Sequence, residues 1–156
     1  MSSWSEVEAK APELSALARE LLTGHKHLTL ATLRRDGSPR ISGIEILFAE
    51  GEVWVGSMPG AVKARDLQRD SRFAVHSGSD DPEKGWKGDA KFAGRAEEID
   101  DDERKRGVVG ANAPPGPLHL FRCDLTELVV VRLGEPADHL LIDSWHQGRG
   151  LSQIKR

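Results

Sequence analysis

Gly56, Ser57, Gly60 and Lys63 lie close together in the stretch GSMPGAVKARDL, Gly56 to Leu67. The stretch follows a strand-like run, Glu52-Val53-Trp54-Val55, and leads into a helical pattern. At such a junction glycines let backbone N–H groups approach an anion, Ser57 offers a hydroxyl and Lys63 a point charge near a helix start. The chemistry implied is a phosphate seat. It is not a nucleotide loop: Lys63 stands three residues after Gly60 and is followed by Ala64, so GxxxxGK[ST] is absent, as is GxGxxG. The alternative is a glycine-rich turn carrying a solvated lysine.

Other residues carry weaker chemical signals. Glu45 interrupts an otherwise apolar strand, and an unpaired carboxylate is costly to bury. It faces either a cleft or solvent beside Arg40. His25 and His27 are two apart, but no second pair of ligands accompanies them, so no metal site is expected, and His25 suits a helix end. His76 is a candidate core or cleft histidine. Cys123, the single cysteine, excludes an internal disulfide and has no resolving partner. Asp143, Ser144 and His146 are too close in sequence for a hydrolase triad, and no G-x-S-x-G elbow is present. The run Asp100 to Glu103 lacks calcium-loop spacing and suits the positive end of a helix dipole. Trp145, His146 and Arg149 form a polar-aromatic cluster near the C-terminus, with a plain surface anchor as the alternative. No catalytic acid or base stands out.

The elements that must position these groups are legible. Leu14, Leu17, Ala18, Leu21 and Leu22 mark one helix face, with Pro12 at its start and Gly24 as its stop. Ser5 and Glu8 have capping-box spacing for an earlier turn. HLTLATL (27–33), RISGIEILF (40–48), EVWVGS (52–57), 71–77, 89–99, 120–133 and HLLIDSW (139–145) read as strands. In the second, Ile44, Ile46 and Phe48 share one face and Ile41, Gly43, Glu45 and Leu47 the other. Turns such as Arg35-Asp36-Gly37-Ser38-Pro39 join them. Helices are expected over 61–69 and 100–109. The expectation is one domain of mainly β (α+β) class: an antiparallel barrel of six to seven strands, with an N-terminal helical segment over 1–24, the barrel over 25–145 and a polar tail over 146–156.

Composition narrows the function classes. The chain has 156 residues, a formal net charge of -3, 38% hydrophobic and 30% charged residues. That is a globular composition, and it offers no excess of cations for a nucleic-acid partner. No apolar run approaches the roughly 20 residues of a membrane span, and the N-terminus lacks a secretory pattern. A cytoplasmic protein with no membrane partner is expected.

The order helix, HLTLATL, DGSPRIS, EVWVGS and KARDLQRDSRFAV resembles the pyridoxamine-phosphate-oxidase-like family of flavin- and deazaflavin-binding split barrels. ATLRRDGSP and KARDLQRDSRFAV carry most of that likeness, which covers roughly residues 25 to 145. The resemblance implies a homodimer with its cofactor, FMN or a deazaflavin (coenzyme F-420), at the subunit interface. Ser57 and Lys63 then match phosphate-binding residues, Arg40 and Ser42 lie near the ring system, and Trp145 and Arg149 reach the other chain's site. The chain departs from the oxidases proper. Ser42 and Leu47 stand on the second strand where those enzymes carry cations, Ala61-Val62 replaces Ser-Arg, and Gly56 replaces a tyrosine. In this it is similar to deazaflavin-dependent reductases. The resemblance implies an oxidoreductase acting on an unidentified small molecule. The alternative is a non-catalytic module for FMN, haem or another phosphorylated ligand.

Overall fold

The computed structural model describes residues 2–156. Two helices open the chain, α1 (Trp4–Lys10) and α2 (Pro12–Thr23). α1 starts in a capping box, but with Ser3 and Glu6 rather than the expected Ser5 and Glu8. The Ser3 hydroxyl accepts from the Glu6 N–H at 3.1 Å, and the Glu6 carboxylate accepts from the Ser3 N–H at 2.8 Å. With the cap two residues earlier, Trp4 and Val7 turn into the core, where both are buried. α2 begins at Pro12, whose missing N–H costs nothing at a first helical position. Leu14, Ala18 and Leu22 form its buried stripe.

Nine antiparallel strands follow: β1 (Leu28–Leu33), β2 (Pro39–Ile44), β3 (Ile46–Ala49), β4 (Glu52–Ser57), β5 (Arg72–His76), β6 (Asp89–Glu98), β7 (His119–Leu133), β8 (Leu140–His146) and β9 (Gly150–Lys155). Their order is β2-β1-β5-β6-β7-β4-β3, with β8 on β7 and β9 on β8. The sheet does not close, and this is the split barrel the sequence implies. Two strands exceed the expected count. The run RISGIEILF divides at Glu45, so β2 pairs with β1 and β3 with β4. The polar tail expected over 146–156 contains β9, a nearly all-exposed edge strand.

The turn before β2 obeys its local chemistry. Asp36 accepts from the Ser38 N–H and hydroxyl at 3.0 and 2.6 Å, and Gly37 takes a φ of 85°. α3 (Val62–Arg69) lies against β1, and α4 (Asp102–Val109) starts on an Asp101 cap. The core gathers Leu28, Leu30, Val53, Val55, Phe73, Phe92, Leu125 and Leu128 from the strands with the buried faces of α1 and α2. Burying a side chain the size of Phe92 contributes about 1.5–3 kcal/mol. Among the described residues no helix is long and apolar enough to cross a membrane.

Candidate anion-binding site

The end of β4, the start of β7 and the N-terminus of α3 converge on one rim of the barrel. β4 ends at Ser57, paired in register with His119, the first residue of β7. Directly opposed residues project from the same face of a sheet, so the Ser57 hydroxyl and the His119 ring are neighbours. The Ser57 Oγ is buried and has no hydrogen-bond partner among the described residues. The chain then turns through Met58, Pro59 and Gly60, with Gly60 at a φ of 74°. Ala61 precedes α3 and supplies no side-chain cap, so the first N–H groups of the helix lack a side-chain acceptor. From the first turn of α3, Lys63 reaches to the edge of β2 and donates to the Gly43 carbonyl at 3.0 Å. An orphaned hydroxyl, an uncapped helix start and an ammonium group thus share one rim. That is a donor set for an anion.

His119 ties the rim together. Its Nδ1 lies 2.5 Å from the Glu98 carboxylate, and its Nε2 accepts from the Gly60 N–H at 3.4 Å. Gln68 of α3 donates to the other oxygen of Glu98 at 2.7 Å. Burial pushes the Glu98 carboxyl up, but the hydrogen bonds from His119 and Gln68 outweigh it and hold the group below its usual range.

Beside the rim lies a second charged cluster. Asp66 of α3 is buried, at 2% exposure. One of its oxygens accepts from Arg40 Nε at 2.7 Å and from the Thr32 hydroxyl at 2.8 Å; the other accepts from Arg69 at 2.8 Å. Arg69 also donates to the Leu33 carbonyl at 2.7 Å. Burial pushes Asp66 up, and the donors from Arg69, Arg40 and Thr32 together outweigh it, so the carboxyl sits below the ordinary range.

The sequence-predicted residues therefore separate. Ser57 and Lys63 stand at the rim. Arg40 lies on β2 with its Nε turned to Asp66. Ser42 is half-buried on the same strand, opposite Leu30. Trp145 is in the core at 2% exposure, paired with Leu128. Arg149 is exposed in the turn between β8 and β9. His119 and Leu128 are separated along β7 by up to roughly 30 Å at the usual strand rise. Trp145 thus pairs with β7 nine positions along from the residue opposite Ser57.

Several other groups resolve simply. Glu45 faces solvent near Lys26 and His27, at 3.6 and 3.9 Å. His25 pairs with Asp80 at 3.3 Å, and His76 is partly exposed, 4.0 Å from Asp89. Cys123 is fully buried, which pushes its thiol up and leaves no thiolate. Asp66, Glu98 and His119 were not legible as site residues. Asp66 reads as one polar position in a charged helix, and His119 follows a Pro-Gly loop without a motif. Only the register of β4 against β7 brings it to Ser57.

Known proteins supply the remaining evidence. No curated protein sequence matches significantly. Among solved structures, PhzG from Burkholderia lata, in complex with tetrahydrophenazine-1-carboxylic acid, is similar with a TM-score of 0.63 at 14% identity, over 100% of this chain and 93% of that one. A pyridoxamine 5'-phosphate oxidase-related, FMN-binding protein from Nostoc punctiforme gives 0.59 at 15% identity, over 96% of each chain. HutZ, the heme storage protein of Vibrio cholerae, gives 0.52 at 20% identity, over 74% of this chain and 89% of that one. At such identities the likeness is one of fold. The sequence profile of pyridoxamine 5'-phosphate oxidase, however, matches residues 14–131, from the second helix through most of β7. By that match, with the split barrel and its strand order, the chain belongs to the pyridoxamine 5'-phosphate oxidase family.

Proposed function

We propose that the protein is a flavin- or deazaflavin-dependent oxidoreductase that holds the phosphate of FMN or coenzyme F-420 at the rim formed by Ser57, the start of α3 and Lys63. The observation that carries this is the Ser57 hydroxyl, buried without a partner beside an uncapped helix start. A buried polar group without a hydrogen bond costs about 1–3 kcal/mol, and an anionic oxygen there removes that cost. Lys63 can turn from the Gly43 carbonyl to the same oxygen, leaving that carbonyl to water. The bound ring supplies hydride chemistry. The chain's own residues anchor the phosphate and present a surface on which a small-molecule substrate meets the ring. Arg40 shapes that surface through its bond to Asp66, and Ser42 lies behind it on β2.

A second copy of the chain completes the site in this proposal. Ile41, Met58 and Val62 expose apolar side chains around the rim, at 74%, 79% and 50%. Ala31, Ala74 and Ala93 line the same outer face of β1, β5 and β6 as Ile41. This apolar row, flanked on the same face by Arg72, His76 and Lys91, suits burial against its own copy. The exposed turn that carries Arg149 in the second copy then approaches this rim.

A second reading is a non-catalytic carrier of FMN, haem or another phosphorylated ligand. The neutralisation of Arg40 by Asp66 favours it, since few free cations remain at the rim. Thermal stabilisation of the purified protein by FMN, coenzyme F-420 and haem, followed by reduction of the bound cofactor with NAD(P)H and its reoxidation by a panel of nitro compounds, separates the two. Stabilisation by a flavin or deazaflavin that turns over supports the oxidoreductase. Stabilisation without turnover supports the carrier, and stabilisation by haem alone contradicts the phosphate seat.

A further inference from the structure

We propose that His119 is a third, titratable member of the anion seat, so that seating a dianionic group draws one proton onto its imidazole. The inference rests on the assignment of Ser57 and Lys63 as the seat and adds to it a residue and a proton. His119 stands beside the orphaned Ser57 hydroxyl on the same face of the β4–β7 ladder. A carboxylate only accepts, so Glu98, at 2.5 Å from Nδ1, fixes the ring proton there. Nε2 is left with a lone pair, which takes the Gly60 N–H at the long distance of 3.4 Å. In this state the ring offers the rim no donor and also occupies a backbone donor of the loop. Protonation of Nε2 reverses both effects. The new N–H points at the rim, and the Gly60 N–H is released toward the same space. An anion there accepts from both.

The surrounding charges set the direction. Glu98 on β6 favours the imidazolium. Gln68 on α3 donates to Glu98 at 2.7 Å and is not titratable. Lys105 on α4, 3.7 Å from Asp102, favours the Glu98 carboxylate, and Lys63 on α3 shares the rim and opposes the charged ring. On β7 the Phe121 ring stacks at 6.3 Å and is neutral. An incoming dianion beside Nε2 favours the charged ring. The proton comes from solvent, and no bond other than N–H forms.

Sulfate is the discriminating probe, because its charge does not change between about pH 5 and 9. Sulfate and FMN are titrated calorimetrically into the whole protein, in buffers of different ionisation enthalpy. Expected is a net proton uptake on binding in mildly alkaline buffer, with affinity falling as pH rises, by at most about tenfold per pH unit. His119→Gln should still bind, with no uptake and a flat pH profile. Glu98→Gln keeps the imidazole and should move the fall in affinity to lower pH, which preserves the test if His119→Gln does not fold. Binding by the wild type without proton uptake, or a pH profile unchanged in His119→Gln, overturns the role of His119 and leaves the seat standing. Failure of both sulfate and FMN to bind at any pH removes the seat, and this inference with it.

Discussion

Arg40 Nε lies 2.7 Å from Asp66 Oδ2, and Asp66 is nine-tenths or more buried, at 2% exposure. The arginine that the family resemblance places near a ring system is thus also one of three donors that keep a buried carboxylate charged. Removing the charge from Asp66 leaves Arg40 and Arg69 without their counter-ion. Breaking such a pair from one side costs about 3–5 kcal/mol. Asp66→Asn is therefore expected to lower unfolding stability by about that amount in urea, against a smaller loss for Arg40→Gln, which leaves Arg69 and Thr32 in place.

The same carboxylate predicts a pH dependence. Its folded pKa lies below the unfolded value of about 3.9. A group of this kind contributes stability that is present above the unfolded pKa and lost as pH falls through the folded one. The gap in stability between wild type and Asp66→Asn should hold from neutral pH to about pH 4 and then narrow on further acidification. Chemical denaturation at a series of pH values reads it directly.

Ser57 separates stability from binding. Its hydroxyl is buried and has no partner among the described residues. Ser57→Ala removes that unmet group, so the free protein should be unchanged or slightly more stable. Affinity for a phosphorylated cofactor should fall by about 1.5–3 kcal/mol, the contribution of one hydrogen bond to a charged group. Melting curves with and without FMN or coenzyme F-420 show both effects in one experiment. A serine with a purely structural role would lower stability and leave binding alone.

The proposed second copy has its own test. Ile41 is 74% exposed on the outer face of β2, and a charge there need not disturb the fold. Ile41→Asp is expected to shift the protein from two chains to one in sedimentation, and to weaken cofactor binding with it. A wild type that sediments as a single chain at all concentrations contradicts the shared site.

Much of the fold was legible, because alternation and turn chemistry act locally. DGSP announced the β1–β2 turn, and the 14–22 stripe announced α2. What local pattern could not show was partnership. Nothing in RISGIEILF says that pairing changes hands at Glu45, since both halves alternate alike. The GLSQIK tail is polar because β9 is an edge strand with little to bury, so composition showed only a polar tail and not its strand. The candidate site was half legible for the same reason. Ser57 and Lys63 sit in one short stretch. Asp66, Glu98 and His119 enter only through contacts across 21 to 59 residues of chain. Trp145 read as a polar-aromatic anchor, but strand alternation turns it inward, and its ring is in the core.

The seat itself is tested most directly by comparing FMN with riboflavin, which has the same ring and no phosphate, in wild type and Lys63→Ala. If the rim grips the phosphate, FMN binds more tightly than riboflavin, and the lysine substitution removes about 1.5–3 kcal/mol of that advantage while riboflavin affinity stays unchanged. Equal affinity for the two ligands in the wild type, or an FMN advantage that survives Lys63→Ala intact, would contradict it.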